Sequence, residues 1–354
     1  MTVSIPTSTP SLRIAINGMG RIGRGLVRAL CASKAEHFSI VAINDVMAID
    51  LMHHLLIYDS IYRPLPESQR PCLTFVDGKM YLSAPHIGLH ALCLQQKSDW
   101  PWRELNIDCV IEASGKFRTA EACTHLIAGA KRVVVTAPML ETKLPELAHF
   151  MPHIRSWSDE VNCPIISTLS CTTHALAAVL KPLINHKIEI ESVMVSEIHG
   201  ATSDQQLQDG EHRDWRRARS ALHSFIPTET PGIQAIKEIY PELEGKVQGH
   251  SIRVPVANVA AIEIHLVIQQ EITHIELQNI LYEAAQRSNA TLGWCDVPAV
   301  SCDFTQHHAS AIIDTQWLQV HNRHLRIFAW YDNEWGYIQR LLDLLRILET
   351  VNPN

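Results

Sequence analysis

The segment around Cys171 combines a potential nucleophile with features that activate one. Cys171 follows a short apolar run that ends in Pro164-Ile165-Ile166-Ser167 and precedes a run of helix formers from Ala175 to Leu180. This order predicts a strand that turns into a helix at the cysteine, where the positive end of the helix dipole would lower the thiol pKa. A second predicted strand, from Ile190 to Ile198, delivers His199. A thiol reacts as its thiolate, so this context favours a catalytic cysteine.

The other cysteines and the histidines do not share that context. Nine cysteines are scattered through the chain without a C-x-x-C pair, which indicates a reducing compartment, the cytoplasm, and argues against a zinc site. The histidine pairs His53-His54 and His307-His308 lack a third ligand at a suitable spacing. We therefore expect no metal.

A dinucleotide-binding turn is predicted near the start of the chain. The apolar run Leu12 to Ile16 reads as a strand, and a helix is predicted from Ile22 to Leu30. Between them stands a G-x-G-x-x-G motif, which permits a tight turn and close approach of a pyrophosphate to the backbone. Its glycines are Gly18, Gly20 and Gly23.

An acidic residue stands at the position where a dinucleotide-binding fold contacts the ribose of its cofactor. Asp45 ends the next predicted strand, Ser39 to Ile43. A carboxylate there binds ribose hydroxyls and repels a 2′-phosphate, so NAD is favoured over NADP. The alternative for Asp45 by itself is a solvated turn residue.

Strands continue to alternate with helices as far as Ser167. Strands are predicted at Asp108 to Ile111 and Lys131 to Thr136, with a helix from about Thr119 to Gly129 between them. This alternation predicts a parallel sheet. The strand ends that should border the cofactor crevice carry Ser114, Gly115 and Thr136.

The second half predicts a different sheet. Long apolar segments lie at Val256 to Ile268, Val300 to Phe304, Ala311 to Thr315 and Leu325 to Tyr331, and a last helix runs from about Trp335 to Glu349. The fold class is therefore α/β: a Rossmann-type parallel-sheet domain, followed by an α+β domain with a mostly antiparallel sheet. A charged loop from Gly200 to Ser224 is long enough to suggest a functional role.

Composition excludes several classes of protein. The chain has 354 residues, 46% hydrophobic and 19% charged, which is enough for two globular domains. Its formal charge of −7 provides no general attraction to nucleic acid or an anionic membrane. No segment approaches the roughly 18 apolar residues of a membrane helix.

Several segments in the right order resemble the glyceraldehyde-3-phosphate dehydrogenase family over nearly the whole chain. They are the turn Asn17 to Arg24, Ser170-Cys171-Thr172-Thr173, Arg216-Arg217-Ala218-Arg219, Arg253-Val254-Pro255 and Asp332-Asn333-Glu334-Trp335-Gly336-Tyr337. The resemblance implies a homotetramer and a glycolytic reaction. In that reaction a cysteine thiolate attacks an aldehyde, hydride passes to NAD, and inorganic phosphate cleaves the resulting thioester.

The resemblance also implies the roles of individual residues. Cys171 is the nucleophile and His199 the base that shuttles its proton. Thr202 and Arg253 resemble the substrate-phosphate site. The inorganic-phosphate site corresponds to Ser170, Thr172, Thr230 and an arginine of the 216–219 cluster, most simply Arg217. Asn333 would hold the nicotinamide carboxamide with Tyr337 near the ring, and Arg21 and Ile22 belong to the cofactor turn.

Some residues leave the function open. Asp204-Gln205-Gln206 and the segment Pro101 to Leu105 look like erythrose-4-phosphate dehydrogenase, a close relative, whereas Thr202 fits the triose type. His174 replaces an asparagine, Thr168-Leu169 replaces an Asn-Ala pair, and Pro231 replaces a glycine of the family pattern. A divergent NAD-binding protein with a binding or regulatory role is therefore the alternative from another class.

The division of the chain follows from these segments. We predict a disordered leader at 1–10, an NAD-binding domain at 11–170 and a catalytic domain at 171–334. The C-terminal helix, 335–350, is predicted to pack back on the NAD-binding domain. Sugar-phosphate aldehyde and inorganic phosphate are the expected partners, with no nucleic acid and no membrane.

Overall fold

The chain divides into two compact units. The computed structural model describes residues 12–32, 38–84, 89–141, 143–158, 162–287 and 291–351, so the predicted leader at 1–10 lies outside the described residues. The first unit contains the described residues of Met1–Pro152, Trp157–Leu169 and Ile338–Asn354. The second contains those of His153–Ser156 and Ser170–Tyr337.

The described residues of the first unit form a sheet of nine strands, mostly parallel. Its strands are β1 (Leu12–Asn17), β2 (Phe38–Asn44), β3 (Cys72–Val76), β4 (Lys79–Ala84), β5 (Leu89–Leu94), β6 (Cys109–Glu112), β7 (Arg132–Val135), β8 (Leu147–His149) and β9 (Ile165–Ser167). Its helices include α1 (Arg21–Ala32), α2 (Ile49–Ile57) and α3 (Cys123–Ile127). The strand order is β3-β4-β5-β2-β1-β6-β7-β9-β8.

The centre of this sheet is covered on both faces. Residues on both faces of β1 are buried, which is typical of a parallel strand between helical layers. Only β3 with β4 and β4 with β5 pair antiparallel. The predicted helix from Thr119 to Gly129 is shorter than expected, since Ala120–Ala122 form a 3₁₀ turn before α3.

The described residues of the second unit form a mixed sheet of eight strands. Its elements are α4 (Cys171–Asn185), β10 (Ile190–Gly200), β11 (Ile226–Thr228), α5 (Pro231–Gln234), β12 (Val247–Val254), β13 (Ala260–Ile268), α6 (His274–Arg287), β14 (Leu292–Cys295), β15 (Ala311–Asp314), β16 (Gln319–His321) and β17 (His324–Tyr331). The order is β11-β12-β10-β13-β17-β15-β14, with β16 on β17. Only β10 with β12 and β14 with β15 pair parallel.

The strand predicted at Val300 to Phe304 is wrong, because Ser301–Phe304 form a 3₁₀ helix. The Asp303 carboxylate accepts the Val300 N–H at 2.8 Å and folds the segment back on itself. The predicted strand from Val256 also begins later, at Ala260.

The last helix, α7 (Trp335–Val351), contributes its residues from Ile338 onwards to the first unit. Its buried residues recur every three or four positions, as expected of a helix with one apolar face. They include Ile338, Leu341, Leu342, Leu345 and Leu348. Among the described helices, none has both the length and the apolar character needed to cross a bilayer.

The glycine turn between β1 and α1 provides a test of the fold. A Cβ on Gly23 would lie 2.1 Å from the carbonyl oxygen of Gly18, whereas no atom lies within 4 Å of a Cβ on Gly20. We expect Gly23→Ala to lower the free energy of unfolding by about 1–3 kcal/mol because the turn must open. Gly20→Ala is the matched control and should change it by about 0.5 kcal/mol or less. Denaturant unfolding measures both, and equal losses would contradict the described turn.

Candidate active site

Cys171 is the first residue of α4, and the turn before it is tightly defined. The Ser170 hydroxyl accepts the Thr173 N–H at 3.1 Å and caps the helix. Leu169 has a φ of 58°, a left-handed conformation that costs a non-glycine residue about 1–3 kcal/mol. The surrounding structure therefore holds Cys171 at a helix N-terminus after a strained residue.

The Cys171 thiol faces the His199 imidazole. Sγ lies 3.9 Å from Nε2, and the other ring nitrogen, Nδ1, lies 2.7 Å from the carbonyl oxygen of Gly200. A carbonyl only accepts, so we assign the ring proton of neutral His199 to Nδ1. Nε2 is then the acceptor that can take the thiol proton.

Arg253 completes this cluster. The register between β10 and β12 pairs His199 with Arg253, and Nη1 lies 3.1 Å from Nδ1 and 3.4 Å from the Gly200 oxygen. The guanidinium and the imidazole N–H therefore converge on one carbonyl oxygen. Three residues predicted from the sequence, Cys171, His199 and Arg253, are thus brought together.

The electrostatics of the cluster differ from the sequence prediction. Burial, and then the Glu197 carboxylate, raise the pKa of Cys171 to about 12, although Arg253 and Thr172 act in the other direction and part of the residue is accessible. Burial, and then the Arg253 charge, lower the pKa of His199. Burial therefore outweighs the lowering of the thiol pKa that we expected from the helix dipole. It favours the neutral forms of the Cys171 thiol and the His199 imidazole.

Glu197 is a candidate functional residue that the sequence analysis missed. It is fully buried, and it accepts hydrogen bonds from the Thr172 hydroxyl and, at 2.6 Å, from the Tyr331 hydroxyl. It stands two residues before His199, so both point to the same side of β10. The sequence did contain a signal for it, because Glu197 is a carboxylate at an inward-facing position of a strand whose other inward residues are mostly apolar.

Two of the residues predicted to bind inorganic phosphate, Ser170 and Thr230, lie on neighbouring segments. The backbone at Gly232 passes so close to Ser170 that a Cβ there would lie 2.2 Å from its hydroxyl oxygen. Gly232 belongs to α5, whose N-cap is Thr230. Pro231 occupies the first position of α5, where a helix leaves the N–H unpaired and proline is tolerated. Ser170 and Thr230 therefore lie on adjoining segments.

Arg217 lies beside this segment but is already ion-paired. It donates to the carbonyl oxygen of Glu229 at 3.1 Å and to the Thr228 hydroxyl at 2.9 Å. The Asp204 carboxylate pairs with its Nη1, and Asp214 lies 3.6 Å from its Nε. An anion would compete with these carboxylates for the guanidinium. Arg217 still acts on the site, because its charge contributes to lowering the pKa of His199.

Two threonines predicted to bind phosphate differ in placement. The Thr172 hydroxyl has one proton and donates it to Glu197, so Thr172 supports that buried carboxylate and does not present its hydroxyl to phosphate. Thr202 is exposed, and its N–H donates to the Gln205 side chain at 3.2 Å.

In the first unit, the glycine turn has the geometry that a dinucleotide needs. Gly18 has a φ of 100°, and a Cβ there would lie 2.4 Å from the Ser114 nitrogen. Asp45 accepts the N–H of Met19 at 2.6 Å and that of Met47 at 2.9 Å, so it links the glycine turn to the segment after β2. The space beside Gly20 is open. These residues fit a pyrophosphate at the start of α1.

A buried carboxylate, Glu112, organises the adjoining strand ends. Its Oε1 accepts the N–H and the hydroxyl of Ser114 at 2.7 and 2.5 Å. Its Oε2 accepts from Asn17 at 2.6 Å and from His125 at 2.9 Å. Four donors satisfy the carboxylate, so Ser114 is held rigidly just after the end of β6. Thr136 likewise donates its hydroxyl to the Glu112 carbonyl oxygen at 3.1 Å.

The remaining predicted cofactor residues have varied surroundings. The Arg21 guanidinium binds the Asp59 carboxylate at 2.5 Å, so its side chain supports the fold. Ile22 is half-buried, and Gly115 has a φ of 72° with open space around it.

The other two residues predicted to bind the cofactor, Asn333 and Tyr337, belong to the second unit. The Asn333 Oδ1 is buried and accepts no hydrogen bond from the described residues, as expected of an atom that awaits an amide donor. The Tyr337 ring packs edge-on against His174 at 5.3 Å. Among the described residues, no group of three or more potential metal ligands is present.

Two family models match the chain. Residues 12–120 match the description "Glyceraldehyde 3-phosphate dehydrogenase, NAD binding domain", and residues 170–333 match "Glyceraldehyde 3-phosphate dehydrogenase, C-terminal domain". A protein of Kitasatospora aureofaciens named glyceraldehyde-3-phosphate dehydrogenase is 37% identical over 340 residues, 95% of this chain and 98% of that one. The protein of the same name from Pseudomonas aeruginosa is 35% identical over 94% of this chain and 97% of that one. Glyceraldehyde-3-phosphate dehydrogenase 2 of Bacillus subtilis is 36% identical over 95% of this chain and 96% of that one.

The thiol pKa provides a test of the site. Because burial raises the pKa of Cys171 to about 12, we expect slow alkylation by iodoacetamide near neutral pH. The rate should rise with pH throughout the alkaline range and reach no plateau below about pH 10. Mass spectrometry of the peptide that contains Cys171 separates it from exposed cysteines. A plateau near about pH 7 would instead show a stable thiolate in the free protein.

Proposed function

This chain belongs to the glyceraldehyde 3-phosphate dehydrogenase family, and on that basis we propose that it oxidises glyceraldehyde 3-phosphate to 1,3-bisphosphoglycerate with NAD and inorganic phosphate. The observation that supports the proposal most directly is the Cys171–His199 pair. The Cys171 Sγ lies 3.9 Å from Nε2 of His199, and Nδ1 of the same ring is hydrogen-bonded to the Gly200 carbonyl oxygen. A protein that only binds NAD has no need of a nucleophile facing a base.

The thiol and imidazole together can perform the first addition. The S–H proton passes to Nε2 of His199 as Sγ forms a bond to the aldehyde carbon. The carbonyl electron pair moves to oxygen, which takes the proton back and gives a hemithioacetal. Because Nδ1–H is held by the Gly200 oxygen, the ring stays oriented through both transfers.

The same imidazole serves the later steps. His199 takes the hemithioacetal proton as the carbon is oxidised to a thioester, for which bound NAD supplies the hydride acceptor. Phosphate oxygen then attacks the thioester carbon, the C–S bond breaks, and sulfur takes the proton from His199. Arg253, 3.1 Å from Nδ1, provides positive charge beside the reacting groups.

We propose that the substrate phosphate and inorganic phosphate bind to the predicted residues, except where the contacts of a residue occupy its side chain. Thr202 and Arg253 would bind the substrate phosphate. Ser170, Thr230 and the adjoining backbone would bind inorganic phosphate, with Arg217 contributing charge while it stays paired with Asp204. Thr172 supports Glu197 and leaves this set.

We propose that NAD is held by the glycine turn, Asp45 and the strand ends at Ser114, Gly115 and Thr136. The open space beside Gly20 suits the pyrophosphate, and Asp45 suits the ribose hydroxyls. The Asn333 oxygen would accept the carboxamide N–H of the nicotinamide, with Tyr337 near the ring. The proposed domains remain 11–170 for NAD and 171–334 for catalysis.

We also propose that the protein is a homotetramer of the cytoplasm. All nine cysteines are free, which suits a reducing compartment. Sedimentation analysis of the purified protein tests the assembly.

A single-turnover assay tests the activity. With glyceraldehyde 3-phosphate and NAD we expect a burst of NADH stoichiometric with enzyme, and steady turnover only when phosphate is added, because phosphate releases the thioester. Cys171→Ser should abolish the burst and leave the Kd for NAD within about twofold, since the hydroxyl is a poor nucleophile at its ordinary pKa.

The controls separate the alternatives. A larger kcat/KM with erythrose 4-phosphate would assign that substrate. The absence of a burst with either aldehyde would favour the divergent NAD-binding protein. Full activity of Cys171→Ser would contradict the assigned nucleophile.

Cofactor choice is tested at Asp45. Asp45→Gly removes the carboxylate that repels a 2′-phosphate, so the ratio of kcat/KM for NADP to that for NAD should rise about tenfold or more. NAD affinity should also fall, because Asp45 accepts the Met19 N–H. Asp45→Asn is the matched variant, which keeps an acceptor and loses the charge. An unchanged ratio in both variants would place the ribose contacts elsewhere.

A further inference from the structure

A continuous chain of buried hydrogen bonds crosses the first sheet where its parallel strands end. Asn44 ends β2, Asn17 ends β1 and Glu112 ends β6, and these strands are neighbours in the sheet. The Asn44 Nδ2 donates to the Asn17 Oδ1 at 2.7 Å, and the Asn17 Nδ2 donates to the Glu112 Oε2 at 2.6 Å. We call the whole chain the strand-end ladder. Its members are Gln96, Asn44, Asn17, Glu112, His125 and Trp102.

The strand-end ladder is anchored on both sides. Gln96 follows β5, and its backbone donates its N–H to the Asn44 Oδ1 at 2.9 Å and accepts from the Nδ2 at 2.9 Å. On the other side, the His125 Nε2 lies 2.9 Å from the Glu112 Oε2, and the Trp102 Nε1 donates to the His125 Nδ1 at 3.0 Å. The five members that contribute side chains are buried, so the ladder is part of the interior.

The direction of each bond in the ladder is determined by its chemistry. An indole N–H only donates, so the His125 Nδ1 is the acceptor, and the ring proton on Nε2 is donated to Glu112. An imidazolium would place a second N–H against that of Trp102, so this contact selects the neutral ring. A carboxylate only accepts, so the Asn17 amide turns its nitrogen toward Glu112 and its oxygen toward Asn44.

Two members of the ladder adjoin the residues that we propose for the adenosine and the pyrophosphate of NAD. Asn44 immediately precedes Asp45, whose carboxylate accepts the Met19 N–H at 2.6 Å. Asn17 immediately precedes Gly18, the first glycine of the turn. The Asn44–Asn17 bond therefore joins the segment that carries Asp45 to the start of the glycine turn.

Glu112 joins the same turn to Ser114. Its Oε1 accepts the N–H and the hydroxyl of Ser114, while its Oε2 accepts from Asn17 and His125. The backbones also touch, since a Cβ on Gly18 would lie 2.4 Å from the Ser114 nitrogen. A shift of the Glu112 side chain must therefore move both segments.

We propose that His125 is a positioning residue for NAD: through Glu112 it holds the glycine turn and Ser114 in the arrangement that receives the cofactor. The inference rests on the proposed placement of NAD at the glycine turn, Asp45 and Ser114. His125 is fully buried, so it acts through Glu112 and not by contact with the cofactor. Its loss leaves a buried carboxylate oxygen one donor short, which is costly and favours a shift of that side chain.

The test compares NAD affinity in two matched full-length variants by calorimetric titration. His125→Asn keeps an acceptor near the position of Nδ1 for Trp102 and loses the donor to Glu112. His125→Gln keeps a donor near the position of Nε2 for Glu112 and loses the acceptor for Trp102. We expect the Kd for NAD to rise about tenfold in His125→Asn, as when about one molecule in ten keeps the competent arrangement. In His125→Gln it should stay within about threefold.

Val110→Ala is the control for lost stability. Val110 is buried on β6, two residues before Glu112, and packs in the same apolar cluster as Trp102. Its truncation lowers the melting temperature and should leave the Kd within about twofold. Glu112→Gln is a second test variant, because a carboxamide cannot accept from all four donors, and its Kd should rise at least as much as that of His125→Asn.

Two results would overturn the proposal. One is a Kd within twofold of the wild type in both His125→Asn and Glu112→Gln. The other is an equal rise in His125→Asn, His125→Gln and Val110→Ala at similar melting temperatures, because general loss of packing would then be the cause. Thermal melting of each variant provides the comparison.

Amide hydrogen exchange without NAD follows the ladder directly. We expect the amides of Ser114 and Met19 to exchange about tenfold faster in His125→Asn and at the wild-type rate in His125→Gln. Unchanged exchange at both amides in His125→Asn would contradict the role of His125. Wild-type protein that fails to bind NAD, or an unchanged Kd in Asp45→Asn, would instead refute the proposed NAD site. The exchange rates would still decide whether His125 holds the turn.

Discussion

The register of β10 against its two neighbours is the constraint on which the second unit depends. Parallel pairing with β12 places His199 beside Arg253 and Glu197 beside Ser251. A slip of one residue would turn both inward side chains to the opposite face of the strand. Antiparallel pairing with β13 fixes the same register from the other side. The imidazole therefore reaches the thiol because a long, doubly paired strand cannot shift.

Both units hold a glutamate side chain in their interior through hydrogen bonds from neighbouring side chains. Glu112 receives four hydrogen bonds, from Ser114, Asn17 and His125, and Glu197 receives those of Thr172 and Tyr331. Burial of a polar group is costly unless such bonds replace water, so each network rigidifies the segment that it touches. In the first unit that segment is the end of β6 with Ser114, and in the second it is the start of α4. The second oxygen of Glu197, Oε2, is buried and has no hydrogen-bond partner among the described residues.

The departures from the family pattern around the nucleophile have structural explanations. Pro231 stands at the first helical position, where its missing N–H costs little. His174 is buried, and its ring packs edge-on against that of Tyr337. Leu169 takes a left-handed conformation, so the turn before Cys171 stores strain that the flanking β9 and α4 must hold.

Local sequence patterns were sufficient to predict several elements of this protein. The glycine turn after β1, the helix start at Cys171 and the strand that ends at His199 were predicted from the sequence, because caps, glycine spacing and hydrophobic periodicity act over a few residues. The same reasoning failed at Val300 to Phe304, where a side chain to backbone bond from Asp303 competes with strand pairing.

The order of residues along the chain thus determined its fold class and its family resemblance, and it was enough to predict Cys171 as the nucleophile. The tertiary structure alone decided that Arg217 is paired with Asp204, that the Thr172 hydroxyl serves Glu197, and that the Cys171 thiol pKa is raised. These outcomes depend on residues that are far apart in sequence and become neighbours only through strand register and burial. No pattern within a short window contains that information.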